Sequence, residues 1–374
     1  MKKIKIMTVF GTRPEAIKLV PLIKEMGHHD CIESVVCVTA QHREMLDQVL
    51  TMFDIHADYD LDMMQKGQTL TDITVKGMKG LEEVLEKEMP NLVLVHGDTS
   101  TSFIAALAAF YKQIKVGHVE AGLRTFNKYE PFPEEMNRRL TGVLADLHFA
   151  PTEVSKQNLL NENIKEEDIF VTGNTAIDML KVTVSQNHSF SQNLLNRIDF
   201  VKKRVLTITA HRRENLGEPL QNICLAVRKI VEEFEDVEIV YAVHPNPQVK
   251  ENAQRILGNN ERIHLIEPLH IRDMHNLLNK SYFVMTDSGG MQEEVPSMGK
   301  PVLVLRNVTE RPEGVSAGTL KIAGVTLESV YESAKLLLTD NNEYQKMSGA
   351  KNPFGDGFAS KRIVESIINH FKSL

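Results

Sequence analysis

Residues 4–26 read IKIMTVFGTRPEAIKLVPLIKEM, an apolar run followed by a glycine turn and an amphipathic stretch. The run Ile4–Phe10 is short and rich in β-forming residues, which predicts a strand. From residue 14 to 26 the apolar residues recur at helical spacing, and Pro14 suits the first turn of a helix. A strand that passes through a glycine into a helix is typical of a parallel α/β sheet.

The same alternation extends along most of the chain. The further predicted strands of the first series lie at 34–39, 92–95, 115–118 and 147–150, with predicted helices at 43–51, 70–87, 100–111 and 135–144. A second series has predicted strands at 204–209, 237–243, 262–265, 282–286 and 302–305, with helices between them. Short apolar strands separated by helices indicate parallel sheets covered on both faces. The sequence therefore predicts two Rossmann-like, doubly wound α/β domains.

A chain of 374 residues is too long for one ordinary core, which also favours two domains. We predict an N-terminal domain at 1–172 and a C-terminal domain at 173–357. The polar stretch 186–192 has the most linker-like composition and is an alternative boundary. A last helix, at about 358–374, follows a glycine-rich break and could pack on either domain. Ligands of such folds bind beyond the carboxyl ends of the strands, so two opposed faces would form a cleft.

Composition excludes several classes of protein. A net charge of −7 and a pI near 6.1 argue against a nucleic-acid-binding surface. No apolar stretch approaches the roughly 20 residues of a spanning helix, and no leader is visible, so we expect a cytoplasmic protein. The three cysteines lack CxxC spacing and are expected to be buried thiols.

The common cofactor motifs are missing from the sequence. No GxGxxG follows a strand, and neither GxxxxGK[ST] nor HExxH occurs. We therefore expect neither a nicotinamide cofactor nor a metal, and any chemistry should depend on side chains alone.

Three acidic residues stand in short loops of the first half. Asp98 and Glu120 each follow a predicted strand, and Glu134 opens a predicted helix after PFP. Asp98 could instead cap the next helix, and Glu134 could simply complement a helix dipole. If the two strands are neighbours, Asp98 and Glu120 repel each other, and one should have a raised pKa. Such a pair suits general acid–base catalysis.

Basic and glycine-rich residues follow other predicted strands. Arg13 and Lys18 lie near the first glycine turn, which offers an anion backbone N–H groups at a helix N-terminus; solvated charges beside a tight turn are the alternative. His211 lies beside two arginines, and His244 follows the next strand. The remaining candidates are an anion-binding turn at 288–290, Glu294 as a partner for ribose hydroxyls, and Arg311 as a further guanidinium.

With these residues in place, the chain resembles the non-hydrolysing UDP-N-acetylglucosamine 2-epimerases. The matching segments, in order and at fitting spacing, are GTRPEAIKLVPLI at 11–23, QHREMLDQ at 41–48, HGDTSTS at 96–102, HVEAGLRT at 118–125, PFPEEMNRR at 131–139, GNTAID at 173–178, AHRREN at 210–215, HPNP at 244–247 and DSGGMQEEVPSMGKPVLVLRNVTERPEG at 287–314. The resemblance spans nearly the whole chain.

The resemblance implies a fold of the glycosyltransferase-B type, with the C-terminal helix returning to the first domain. It implies reversible conversion of UDP-N-acetylglucosamine to UDP-N-acetylmannosamine, by elimination of UDP to 2-acetamidoglucal and its re-addition. The implied acid–base set is Asp98, Glu120 and Glu134, with His211 catalytic near the diphosphate. The implied UDP-binding residues are Arg13, Lys18, His211, Ser288, Gly289, Gly290, Glu294 and Arg311.

Two further expectations follow from the resemblance. The substrate is expected to activate the enzyme at a second site formed by Gln41, His42, Gln68, Glu134, Arg212 and His244, and the protein is expected to be a homodimer. Three other functions remain open to test: those of a hydrolysing epimerase, of a glycosyltransferase, and of a non-catalytic UDP-sugar sensor. Each would use a UDP site of the same kind.

Overall fold

Seven parallel strands form the first sheet of the structure, a computed structural model that describes residues 3–40, 43–65 and 67–373. The strands are β1 (Ile4–Phe10), β2 (Ile32–Val38), β3 (Tyr59–Asp60), β4 (Leu92–His96), β5 (Lys115–Val119), β6 (Leu147–Ala150) and β7 (Ile169–Val171). Their order in the sheet is β3-β2-β1-β4-β5-β6-β7. The chain thus runs outward from β1 in one direction and returns beside it at β4, as in a doubly wound sheet.

The helices of this part are α1 (Arg13–Gly27), α2 (Arg43–Phe53), α3 (Leu70–Glu88), α4 (Ser100–Tyr111), α5 (Glu134–Leu144), α6 (Glu153–Asn161) and α7 (Thr175–Thr183). Each connects one parallel strand to the next or extends the last connection, as the crossovers of a parallel sheet require. The core contains the apolar faces of β1, β4 and β5 with those of α3 and α4.

Six parallel strands form the second sheet, in the order β10-β9-β8-β11-β12-β13. They are β8 (Arg204–Thr209), β9 (Val237–Ala242), β10 (Ile263–Ile266), β11 (Phe283–Thr286), β12 (Val302–Val304) and β13 (Leu320–Ile322). The helices are α8 (Glu218–Glu233), α9 (Pro247–Leu257), α10 (Ile271–Lys280), α11 (Gly289–Glu294), α12 (Pro312–Ser316), α13 (Leu327–Thr339) and α14 (Asn341–Ser348). Pro296 limits α11, which gives way to a 3-10 turn at Val295–Met298.

The chain divides into two compact units. The N-terminal unit is Met1–Met179 with Gly355–Leu374, and the C-terminal unit is Leu180–Phe354. The division lies inside α7, after the predicted boundary at 172 and before the polar stretch 186–192. The last helix, α15 (Ala359–Lys372), packs against α1 and therefore belongs to the N-terminal unit.

In each sheet, the order in which the chain adds strands reverses at one point. This point lies between β1 and β4 in the first sheet and between β8 and β11 in the second. Ligands of open α/β sheets bind outside the carboxyl ends of the strands at such points. Asp98 follows β4 and Glu120 follows its neighbour β5, whereas His211 follows β8 and Ser288 follows β11. Asp98, His211 and Ser288 therefore lie at the reversal of the strand order in their sheets, and Glu120 lies one strand away from it.

The sequence prediction omits three strands, β3, β7 and β13. Each is two or three residues long and lies at the edge of its sheet. Alternating or continuous apolar patterns need about four residues to be recognised, so such short edge strands leave no signal. Of the cysteines, Cys31 is half-buried, while burial raises the pKa of the Cys37 and Cys224 thiols to about 12.

Candidate active site

The turn between β1 and α1 is organised by Glu15, a buried residue that the sequence analysis did not single out. Its carboxylate accepts hydrogen bonds from the backbone N–H groups of Gly11 (3.1 Å) and Thr12 (2.8 Å) and from the Thr12 hydroxyl (2.8 Å). The turn's backbone donors, expected to be offered to an anion, are therefore used by the protein's own capping carboxylate. Arg13, half-buried, begins α1 directly after this turn.

Lys18, one turn into α1, forms an ion pair with Glu120. Its ammonium lies 2.6 and 2.8 Å from the two carboxylate oxygens. Nε2 of His96 lies 3.0 Å from Oε2 of Glu120, outside hydrogen-bonding geometry, and Nδ2 of Asn174 donates to Oε1 at 3.4 Å. Both His96 and Asn174 are buried. Glu120 thus stands among a lysine, a histidine and an amide.

These neighbours decide the charge of Glu120. Burial would raise the pKa of its carboxyl, but the Lys18 ammonium and the His96 imidazole outweigh burial and hold the pKa well below its usual range. We expected repulsion from Asp98 to raise the pKa of one of the two acids. For Glu120 this expectation is wrong, because Glu120 and Asp98 each have a cation of their own.

The backbone of Glu120 is in the left-handed region, with φ of 62°. A residue with a side chain adopts this conformation only when the surrounding structure enforces it, at a cost of about 1 kcal/mol or more. Here the next residue, Ala121, donates its N–H to Phe149 of β6 at 3.1 Å and fixes the chain after β5. Such strain is concentrated at functional sites, which supports the prediction for Glu120.

Asp98 does not cap α4. Thr99 does so, accepting a hydrogen bond from the backbone of Ser102 at 3.1 Å. The Asp98 carboxylate oxygen Oδ2 instead receives Nε and Nη2 of Arg138 at 3.0 and 2.6 Å, and the Asp98 carbonyl accepts Nδ2 of Asn137 at 2.9 Å. Both partners come from α5, so this helix positions Asp98.

The adjacent acids Glu134 and Glu135 lie in the first turn of α5 and differ in their surroundings. Glu135 is buried and accepts the backbone N–H groups of Thr125 (3.0 Å) and Phe126 (3.2 Å), which fixes the preceding loop. Glu134 is half-buried, and its Oε2 is inaccessible without a hydrogen bond among the described residues. An unsatisfied buried carboxylate oxygen favours a functional role for Glu134, although the helix dipole also suits an acid there.

In the C-terminal unit, the loop after β8 is held by Asp287, the residue after β11. Asp287 is fully buried, and its Oδ2 accepts the backbone N–H groups of His211 and Arg212, each at 2.8 Å. The His211 ring stacks on that of His244, with centroids 5.2 Å apart and planes 8° from parallel. Burial lowers the pKa of His211, and Asp287 opposes this effect. Both candidates of this loop, His211 and Arg212, are thus in direct contact with one carboxylate.

Gly289, the first residue of α11, lies next to two guanidinium groups. A Cβ built on Gly289 would lie 3.5 Å from Nη2 of Arg311 and 3.8 Å from Nη2 of Arg212. Ser288 precedes the helix and donates its N–H to Thr286 at 3.0 Å, and Arg311 is itself bound to Glu293. Two arginines beside an open backbone turn suit a phosphate group.

Glu294, in the last turn of α11, lies next to His275, a buried histidine that was not predicted from the sequence. Nε2 of His275 lies 3.3 Å from Oε2 of Glu294, and Nδ1 of His275 lies 2.7 Å from the Thr183 hydroxyl. A Cβ on Gly290 would be 3.7 Å from Oε1 of Glu294, so this acid lies beside the same glycine turn. The structure thus brings Ser288, Gly289, Gly290, Glu294 and Arg311 together.

The six residues expected to form a second substrate site lie in different parts of the chain. Gln41 and His42 lie outside the described residues. Gln68 precedes α3 and accepts the backbone N–H of Gln65 at 2.9 Å. Arg212 and His244 are both next to His211, as described above.

Within residues 3–40, 43–65 and 67–373, no helix has the length and apolar character needed to cross a membrane.

Comparison with known proteins assigns the chain to a family. Residues 24–368 match the family model for UDP-N-acetylglucosamine 2-epimerase. The UDP-N-acetylglucosamine 2-epimerase of Bacillus subtilis is 59% identical over 371 residues, covering 99% of this chain and 97% of the relative.

Solved structures agree with this assignment. A crystal structure of a Listeria monocytogenes relative, 56% identical, superposes with a TM-score of 0.94 and covers 100% of this chain and 98% of the other. The UDP-GlcNAc 2-epimerase of Neisseria meningitidis bound to UDP-GlcNAc, 49% identical, gives 0.84 and covers 98% and 100%. These likenesses confirm the prediction of two Rossmann-like α/β domains of the glycosyltransferase-B type. By sequence and by fold, the chain belongs to the UDP-N-acetylglucosamine 2-epimerase family.

Proposed function

We propose that this epimerase interconverts UDP-N-acetylglucosamine and UDP-N-acetylmannosamine by eliminating UDP to 2-acetamidoglucal and adding it back. A carboxylate removes the C2 proton, the C1–O bond to UDP breaks, and a C1–C2 double bond forms. The β-phosphate oxygen of UDP then bonds to C1 again while a proton reaches the other face of C2. The structure of the Neisseria meningitidis relative with UDP-GlcNAc supports the choice of substrate.

The observation that carries the proposal is the pairing of Asp98 and Glu120 with separate cations at neighbouring strand ends. The C2 proton is not next to a carbonyl and is poorly acidic, so its removal needs a strong leaving-group effect as well as a base. Loss of UDP places positive charge on C1, which an ionised Glu120 would stabilise. Inversion requires proton transfer on both faces of C2, which needs more than one acid; we assign this transfer to Asp98, Glu120 and Glu134.

The leaving diphosphate needs positive charge. His211, Arg13, Lys18 and Arg311 are our proposed contacts for UDP, together with Ser288, Gly289 and Gly290. The two guanidiniums near Gly289 support this assignment, because Arg binds phosphate oxygens through two hydrogen bonds. Glu294, beside Gly290, would accept hydrogen bonds from the ribose hydroxyls.

Deuterium exchange tests the reaction. Either epimer incubated with the enzyme in D2O should acquire deuterium at C2, which proton NMR detects in both epimers. Retention of protium at C2 would exclude a deprotonated intermediate. Free N-acetylmannosamine as the main product would instead show a hydrolysing epimerase, and a requirement for an acceptor would show a glycosyltransferase.

Amide variants test the carboxylates. Asp98→Asn and Glu120→Gln should each lower kcat by orders of magnitude while calorimetry still detects UDP binding. A near-native rate for Asp98→Asn would exclude this residue from the acid–base set.

We also propose that the substrate activates the enzyme at a second site formed by Gln41, His42, Gln68, Glu134, Arg212 and His244, and that the protein is a homodimer. The stacking of His244 on His211 supports the coupling, because a ligand that contacts His244 would disturb the His211 ring directly. His244→Ala should abolish any sigmoidal dependence of rate on UDP-N-acetylglucosamine, and sedimentation would give the oligomeric state.

A further inference from the structure

Asp287 has one carboxylate oxygen whose position the loop does not explain. Oδ2 accepts three hydrogen bonds, from the backbone of His211 and Arg212 and from Nδ2 of Asn215 at 2.9 Å. Oδ1 is equally buried, and within the described parts of the chain it receives no hydrogen bond. Nδ1 of His211 lies 3.4 Å from Oδ1.

Holding the loop requires only Oδ2. Burying the second oxygen, Oδ1, without a hydrogen-bond donor is unfavourable. A carboxylate at this position therefore indicates that Oδ1 has a donor of its own. The candidate partner is His211: Thr209 of β8 lies opposite Thr286 of β11, which places Asp287 beside Ala210 and within reach of His211, the next residue. The hydrogen bond from the His211 backbone to Oδ2 then holds the imidazole of the same residue near Oδ1.

We propose that Asp287 is a positioning residue that accepts the Nδ1–H of His211 and presents the Nε2 of that ring to the diphosphate of UDP. This inference rests on the proposed function, which places His211 at the diphosphate. With Nδ1–H bound to Asp287, a neutral ring keeps a lone pair on Nε2, whereas a protonated ring can donate Nε2–H to a phosphate oxygen. UDP should therefore bind the protonated ring and take up a proton in doing so.

Asp287 differs from the other groups around His211 in its effect on the pKa of that ring. Burial, His244 and Arg212 all lower the pKa of His211, and Asp287 raises it. Asp287 thus favours the protonated ring against its other neighbours. Its removal should make the ring harder to protonate and reverse the tautomer of the neutral form.

The test is Asp287→Asn. An amide whose oxygen keeps the backbone hydrogen bonds would turn its NH2 toward Nδ1, and the ring would then carry its proton on Nε2, as happens when the triad aspartate of a serine protease becomes asparagine. By NMR of isotope-labelled histidine, the pKa of His211 should fall by about one unit, and its neutral tautomer should change from Nδ1–H to Nε2–H. Proton uptake on UDP binding, measured by calorimetry in buffers of different ionisation enthalpy, should decrease.

Asp273→Asn is the matched control. Asp273 is also a buried aspartate of the C-terminal unit with a histidine partner, Nε2 of His188 at 2.6 Å, but it lies on α10. This variant should leave the His211 titration unchanged. An equal shift of the His211 pKa in both variants would show a general loss of structure and overturn the proposal.

The wild-type protein provides an independent test that needs no stable variant. In its neutral form His211 should be the Nδ1–H tautomer, and a neutral Nε2–H tautomer would overturn the proposal. Both NMR measurements are independent of turnover. A chain that fails to exchange C2 protons but shows the expected tautomer refutes the proposed function and supports the His211–Asp287 pair.

Discussion

At the scale of single residues, two catalytic candidates of the N-terminal unit, Asp98 and Glu120, each have a cation beside them. Lys18 of α1 pairs with Glu120, and Arg138 of α5 pairs with Asp98. The two acids therefore need not share a proton to coexist. The two strand-end carboxylates thus form two separate ion pairs.

Lys18→Met should destabilise the protein in a pH-dependent manner. It leaves a buried carboxylate without its cation, so we expect the free energy of unfolding to fall by about 3 kcal/mol at pH 7. The pKa of Glu120 in the folded protein lies below its ordinary value of 4.5, so the ion pair stabilises above that pH and its contribution is lost as pH falls through the folded pKa. Urea unfolding should therefore show a difference that shrinks toward acidic pH.

Lys24→Met, at an exposed lysine in the last turn of the same helix, is the control and should change stability little. A Lys18→Met deficit that does not shrink as the pH falls well below 4.5 would contradict the assignment of the ion pair.

Arg138→Lys should lower kcat by about 100-fold with little change in KM. Lysine keeps the charge but cannot place two donors on Oδ2 of Asp98, and a small displacement of a reacting group has a large effect on rate. Arg139→Lys is the control at the adjacent position. The Arg139 side chain is half exposed, and it forms only a surface ion pair with Glu162, with 3.6 Å between Nε and Oε1. Equal losses for the two variants in steady-state kinetics would show that Arg138 has no special role.

At the scale of elements, the β1–α1 turn is joined to α4 by one side chain. Besides the turn itself, the Glu15 carboxylate accepts hydrogen bonds from the hydroxyls of Thr99 (2.7 Å) and Ser102 (3.2 Å). Glu15 thus connects the loops after β1 and β4, on both sides of the reversal of the sheet. The position of Asp98, next to Thr99, depends on this connection.

Glu15→Gln should lower the free energy of unfolding by about 2–3 kcal/mol, because an amide NH2 cannot accept the hydrogen bonds that one carboxylate oxygen now receives. Asp72→Asn is the comparison, since Asp72 completes the same kind of capping box with Thr69 at the exposed start of α3. Denaturant unfolding should show a clearly smaller loss for Asp72→Asn, and a similar loss in both would mean that the link to α4 contributes nothing.

At the scale of the whole molecule, the chain completes its N-terminal unit with its last residues. The start of α15 is capped by Asp178, whose carboxylate accepts the backbone N–H groups of Ala359 (3.1 Å) and Ser360 (2.7 Å). Its apolar face, including Ile363, is buried. The N-terminal unit is therefore discontinuous in sequence, and its stability depends on the segment Gly355–Leu374.

Ile363→Ala should consequently destabilise the N-terminal unit by about 2–4 kcal/mol. Hydrogen exchange followed by mass spectrometry should show faster exchange in α1 and unchanged exchange in α8. Leu337→Ala, a buried position of α13, which packs against α8, should give the reverse. Faster exchange in α8 alone after Ile363→Ala would contradict the assignment of α15.

The sequence by itself determined the two α/β sheets, because apolar periodicity and glycine turns record all but the shortest strands locally. It also placed Asp98, Glu120, His211 and Ser288 after strands. Within each parallel sheet, such positions lie at the carboxyl edge of the strands. Only the tertiary structure decided the partners: Lys18 and Glu120 are 102 residues apart, and Arg138 and Asp98 are 40. Such pairs depend on strand order and helix packing, which residue types along the chain do not record, and so the charge of Glu120 and the orientation of His211 became apparent only in the fold.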